Sequence, residues 1–220
     1  MLKLYPPKTA SSILRRYDDW ITQVSRRFGV PKACLQAILY QELTKIDLLD
    51  PLADLVVRLY WLRWRLRRRL YRVGLTASPT LPPRKGLAGK KDSSTGYGQI
   101  FSYVAIRALC FALDRGLLSL PIPELALDHR PAPENDGDRR RVWLLLHRDP
   151  KVNILCTALN LLAAAEEMTG RTDLAALSAG ELKLVFTRYN ANLRQITAYG
   201  EAVYRHYLRY QAAQSSATLL

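Results

Sequence analysis

At 220 residues and 49% hydrophobic composition, the chain can build one good core and would leave two separate domains small. Its 33 Lys and Arg outnumber 19 Asp and Glu, giving a formal charge of +14 that attracts any extended anionic partner, whether nucleic acid, membrane or bacterial wall. Prolines and glycines gather between periodic stretches without a solenoid repeat, which excludes a disordered chain and a repeat array.

The N-terminal stretch Met1-Leu2-Lys3-Leu4-Tyr5-Pro6-Pro7 lacks the apolar core of a signal peptide. Ile13, Tyr17, Trp20, Ile21, Val24 and Phe28 then share one face of a helix that follows Ser11-Ser12 and stops at Gly29. Pro31 opens a second helix, in which Cys34 and Ile38 form an apolar stripe at four-residue steps. The next position on that stripe is Glu42.

From Asp50 to Val73, Leu52, Leu55, Leu59, Leu62, Leu66, Leu70 and Val73 recur at threes and fours and predict one amphipathic helix of roughly 36 Å. Arg58, Arg63, Arg65, Arg67, Arg68, Arg69 and Arg72 on its other faces exclude a membrane span. The expected arrangement packs the leucines against the domain and leaves the arginines in solvent, available to an anionic wall or membrane surface. Residues 47–91 therefore read as an inserted helix plus loop, with the irregular part running from Gly74 to Thr95.

After Gly98, helical spacing resumes through Ile106, Leu109, Cys110, Leu113 and Leu117. Residues 120–138 read as an irregular Pro-rich linker, followed by a short helix around Val142 to His147. Asp149-Pro150 starts the next helix and Gly170 ends it. Ser178 and Glu181 have capping-box spacing, and a last helix carries Ile196, Tyr199, Val203 and Tyr207. No strand run competes, so the expected fold is all-α, with at most a small hairpin before Gly98. Cys34, Cys110 and Cys156 lie on apolar stretches without a CxxC pair and read as buried thiols, so no metal or organic cofactor is expected.

Glu42 is the residue whose setting suggests chemistry. A carboxylic acid can deliver a proton near neutral pH only where its surroundings resist ionisation. Glu42 continues an apolar stripe and stands near a helix C-terminus, where the dipole also disfavours negative charge. Downstream come Ser93-Ser94-Thr95-Gly96-Tyr97-Gly98-Gln99-Ile100, then Asn153-Ile154, then Arg188-Tyr189-Asn190-Ala191-Asn192.

That order resembles the lysozyme-like superfamily of lytic transglycosylases and goose-type lysozymes, over roughly residues 30–42 and 92–207. The resemblance implies cleavage between N-acetylmuramic acid and N-acetylglucosamine in the glycan strands of peptidoglycan, with Glu42 as general acid/base. It implies sugar binding by Ser94, Gly96, Tyr97, Gly98, Gln99 and Ile100, with Tyr189 and Asn190 positioning substrate and acid. Leu43 stands where the family commonly has Ser, Asn192 replaces the motif's closing glycine, and the Arg-rich helix interrupts the chain.

An inverting hydrolase needs a second carboxylate to activate water, and the resemblance to goose-type lysozymes implies Asp92, seven residues before Gln99, as the candidate. Hydrolase and transglycosylase both stay open. Expected roles are an antibacterial effector or toxin domain, or an endolysin, delivered to the periplasm or wall by other proteins. An effector would have an immunity protein as partner. The alternatives are a nucleic-acid-binding module gripping through the arginines with Tyr60, Trp61 and Trp64, and a noncatalytic glycan-binding relative.

Overall fold

Local side-chain caps set the starts of three α-helices. In the computed structural model, which describes residues 3–47, 49–81 and 90–218, the described chain is all-α. Its helices are α1 (Pro7–Arg16), α2 (Asp18–Phe28), α3 (Lys32–Lys45), α4 (Asp50–Arg72), α5 (Ser102–Asp114), α6 (Asp136–Arg148), α7 (Pro150–Thr169), α8 (Ala179–Asn190) and α9 (Ala198–Thr218). At α7 the Asp149 carboxylate accepts from the backbone N–H of Lys151 (2.8 Å) and Val152 (3.4 Å), and Gly170 ends the helix at φ 69°. At α8 Ser178 and Glu181 form the reciprocal capping box.

Several boundaries differ from expectation. Helix α5 ends at Asp114, so Leu117 falls outside it, and α9 starts at Ala198, so Ile196 lies before it and is exposed. The first helical stretch is broken at Tyr17 (φ −105°, ψ 13°) into α1 and α2, and α1 starts at Pro7, where a proline's missing N–H costs nothing. Helix α6 starts at Asp136, inside the predicted linker, because Asn135 caps it by accepting from Gly137 N (2.8 Å) and Asp138 N (3.2 Å). The rest of 120–135 is irregular apart from a short 3-10 turn at Pro123–Leu125 enclosed by an antiparallel bridge between Ile122 and Leu127.

Helices α3 and α7 form the middle of the core. Along α7, buried residues from Val152 to Ala165 occupy every face, and α3 is likewise buried around its circumference from Ala33 to Leu39. Helix α9 packs on α3, while α5 and α8 flank α7. Cys34 and Cys156 are buried thiols whose surroundings push their pKa up to about 12, and Cys110 is partly buried. No helix among the described residues is long and apolar enough to cross a membrane.

The predicted packing of α4 is overturned. Leu59, Leu62 and Leu66 are 51%, 61% and 56% exposed, and Leu52 and Leu55 are exposed with them. The helix docks instead through Val57 and Trp61, which bury against Trp143 of α6 with Tyr60 and Trp64 alongside. A second anchor is polar: the Asp54 carboxylate accepts from Ser93 Oγ (2.6 Å) and Thr95 Oγ1 (2.9 Å), and lies 3.0 Å from His147 Nδ1. Large aromatic volume and a partly buried, fully bonded carboxylate fix the helix rotation, leaving the leucines facing away. Of the aromatic set proposed for nucleic-acid stacking, Trp61 is buried in this packing and Tyr60 and Trp64 are partly buried beside it.

The loop after α4 is non-helical over 74–81 and 90–95, while 82–89 lie outside the described residues. Where a small hairpin was expected there is a single isolated antiparallel bridge between Thr95 and Ile100, which closes a four-residue turn.

Candidate active site

The last turn of α3, the Thr95–Ile100 turn, the C-terminal end of α8 and the start of α9 converge on Glu42. The Glu42 side chain ends the Cys34-Ile38 stripe, which is buried throughout, and Glu42 itself is only 6% exposed. The Tyr199 hydroxyl donates to Glu42 Oε1, and the Lys45 ammonium rests 3.9 Å from the centre of the Tyr199 ring. Burial lifts the Glu42 pKa above its ordinary value of 4.5. The Tyr199 hydrogen bond and the Lys45 charge pull it down, the negative charge of Asp50 adds to the rise, and the net direction is upward. Tyr199 itself is held well above 10 by burial and by Glu42, so it stays a proton donor.

The glycine turn is fixed from beneath by Asn153, a fully buried side chain of α7. Its Oδ1 accepts from Gly98 N (2.6 Å), and its Nδ2 donates to Thr95 O (2.9 Å) and Leu146 O (3.3 Å). The Tyr189 hydroxyl donates to Gly98 O (2.7 Å), tying the end of α8 to the same residue. A side chain at Gly98 would collide with Thr157, Tyr189 and Asn153, so only glycine allows this approach. Gln99 adopts φ 47°, a left-handed conformation unusual for a non-glycine residue, and its Nε2 donates to Gly96 O (3.0 Å).

Above Glu42 lies a cavity of about 590 Å³. Of the sequence-predicted residues it brings together Glu42, Ser94, Gln99, Ile100, Tyr189 and Asn190. Gly96 and Tyr97 face a neighbouring cavity of about 380 Å³, which meets the first at Ile46, Asp50 and Gln99. Gly98 lines neither, and its contribution is the backbone geometry of the turn.

Asp92 also lines neither cavity. Its buried carboxylate accepts from Ser102 N (3.0 Å), Ser102 Oγ (2.8 Å) and Tyr103 N (3.3 Å), and meets Arg139 Nη2 at 3.3 Å. These bonds satisfy the first amides of α5, a structural use of the carboxylate that leaves it turned from the water it was expected to activate. Other carboxylates line the main cavity. Glu167 pairs with Arg188 (2.7 Å), Asp50 accepts from Asp47 N (2.9 Å) and Asp47 from Leu49 N (2.8 Å). Among the described residues no group of three or more His, Cys, Asp or Glu is placed to hold a metal ion.

Sequence reasoning missed Tyr199 and the cavity walls contributed by Arg107, Asn160 and Glu167. Helical spacing marked Tyr199 as a core residue, and its contact with Glu42 spans 157 positions. A scan against protein-family models finds no match, and searches of curated proteins and of solved structures find none either.

Proposed function

We propose that the chain is a peptidoglycan glycosidase of lysozyme-like type, cleaving between N-acetylmuramic acid and N-acetylglucosamine with Glu42 as acid and then base. The observation that carries this reading is a buried carboxyl with a raised pKa at the floor of an open polar cavity. A solvated glutamate would already be ionised at neutral pH. Glu42 keeps its proton to higher pH and can give it to the departing glycosidic oxygen.

The transglycosylase route fits the carboxylates better than inversion. An inverting hydrolase needs a second carboxylate across the scissile bond to activate water. Asp92 is committed to α5 and the other cavity acids hold backbone or arginine partners, which leaves Glu42 to act alone. In that route Glu42 protonates the leaving oxygen and the bond to C1 breaks. The Glu42 carboxylate then takes the proton from the muramic C6 hydroxyl as that oxygen closes on C1, and the acid is regenerated.

Purified wild-type and Glu42→Gln proteins incubated with sacculi test this. Release of 1,6-anhydromuramyl fragments by wild type, reduced by roughly a hundredfold or more in the variant, is the expected result. Equal digestion by both proteins would remove Glu42 from the mechanism. Reducing ends in place of anhydro ends would mean that water attacks, and would return attention to a second carboxylate.

A further inference from the structure

Helix α4 has two apolar sides, and one of them has no partner among the described residues. Val57 and Trp61 bury against Trp143, while Leu52, Leu55, Leu59, Leu62 and Leu66 all stand exposed. At about 100° per residue the centre of the leucine stripe lies about 160° around the helix from Val57 and Trp61. The stripe therefore points away from the packed side of the helix, with Leu55 at the rim of the smaller cavity. A continuous apolar strip over a 23-residue helix is a surface that monomeric soluble proteins rarely leave bare.

Its borders are cationic. Arg58, Arg65 and Arg69 follow one edge, Arg63 the other, and α6 adds Arg140 and Arg148. Arg140 is partly buried, and its pKa is lowered first by that burial and then by the charges of Arg65, Arg148 and Arg141, so guanidinium groups of both helices crowd together. None of these arginines forms an ion pair among the described residues. An uncompensated cluster of this kind needs anions from outside the chain.

Two occupants fit poorly. Self-pairing along the leucines would bring the Arg58, Arg65 and Arg69 row of one copy against like charges of the other. A nucleic acid would satisfy the arginines and leave the leucines in water. A bilayer rich in anionic lipid satisfies both features, because it offers phosphates at the depth of the arginines and acyl chains at the depth of the leucines.

We infer that α4 is an interfacial helix that lies in the plane of an anionic membrane, with Leu52 to Leu66 inserted at the headgroup boundary. Leu55 and Arg58 also line the smaller cavity beside the Glu42 site, so this docking holds that end of the groove next to the lipid surface. The inference stands on the surface alone and does not rest on the chemistry of Glu42.

Co-sedimentation of the full chain with vesicles of phosphatidylethanolamine and phosphatidylglycerol, against vesicles of phosphatidylcholine, tests it. Binding to the anionic vesicles is expected, weakening with salt and much poorer on the neutral ones. The double variant Leu59→Ser/Leu62→Ser should keep its helical circular dichroism, since both side chains are exposed, and lose affinity by about tenfold or more. Arg65→Gln/Arg69→Gln should lose affinity by a similar factor, and Glu42→Gln should bind as wild type does. Failure to bind anionic vesicles overturns the inference, and so does unchanged binding by the leucine variant. A concentration-dependent dimer that the leucine variant dissolves, without vesicle binding, would identify a second copy as the occupant. Retention on an immobilised acidic helical peptide with no vesicle binding would identify a protein partner, and the membrane assignment would fall.

Discussion

Ionising Glu42 in its buried position costs the native state, so the residue that makes the site reactive also weakens the fold above a certain pH. Below the ordinary value of 4.5 the folded and unfolded chains both hold the proton, and Glu42 gives no pH-dependent penalty. As pH rises through the elevated folded pKa, the native carboxylate must ionise without full hydration, and that increment of stability is lost. Glu42→Gln has no proton to lose. Thermal unfolding should show the variant more stable than wild type at neutral and alkaline pH, with the gap closing below pH 4.5. A constant gap at every pH would mean that ionisation is not its source. Tyr199 tunes the same equilibrium in the opposite direction, since its hydroxyl stabilises the carboxylate. Tyr199→Phe should therefore raise the Glu42 pKa and move the alkaline limb of the kcat/KM profile to higher pH, and a limb displaced downward would contradict this positioning role. Glu42 was legible because a carboxylate on the Cys34-Ile38 stripe breaks a local pattern. Tyr199 was not, because a tyrosine on an apolar helix face satisfies its pattern, and nothing local says that its hydroxyl meets an acid across 157 positions of chain.

Among the elements, two boundaries written in short-range hydrogen bonding were readable from sequence, while the equally local Asn135 cap of α6 was lost in a Pro-rich stretch. The Ser178–Glu181 box and the Asp149-Pro150 start are complete within a few residues, so their chemistry is visible in the string. The break at Tyr17 has neither glycine nor proline to mark it. Asp92 shows the reverse difficulty, since a loop aspartate that approaches a groove and one that caps a distant helix look alike until the fold closes. Its bonds to the amides of Ser102 and Tyr103 give it the position of a cap for α5, and removing it leaves those donors unsatisfied. Asp92→Ala should lower stability by about 1–3 kcal/mol, read from denaturant midpoints, while turnover per folded molecule stays near wild type. Lost turnover at unchanged stability would instead make Asp92 a catalytic base and reopen hydrolysis.

At the scale of the whole molecule, the seating of α4 departs most from the sequence expectation. Apolar periodicity says which side chains share a face and does not say what the face meets. On α4 the leucines formed the wider stripe, yet Trp61 against Trp143 and the Asp54 network with Ser93, Thr95 and His147 decided which side turned inward. These anchors lie between Asp54 and Trp64, whereas Arg65, Leu66, Arg68 and Arg69 beyond them are exposed. Helices α3 and α7, by contrast, are buried on all sides in the main core from Ala33 to Leu39 and from Val152 to Ala165. Local opening follows buried apolar contact, so amide exchange should not be uniform. Hydrogen exchange read by mass spectrometry should show slow exchange throughout α3 and α7, intermediate rates around Asp54 to Trp61, and the fastest helical exchange in the last two turns of α4. Peptides covering those last turns should become protected when anionic vesicles are added, and α7 peptides should not change. Protection of the α4 end equal to that of α7 in the free protein would show that the exposed leucines are covered in solution, most directly by a second copy. The same pattern persisting on dilution to the lowest measurable concentration would mean that the chain covers the stripe itself, and the outward-facing seat of α4 would then be wrong.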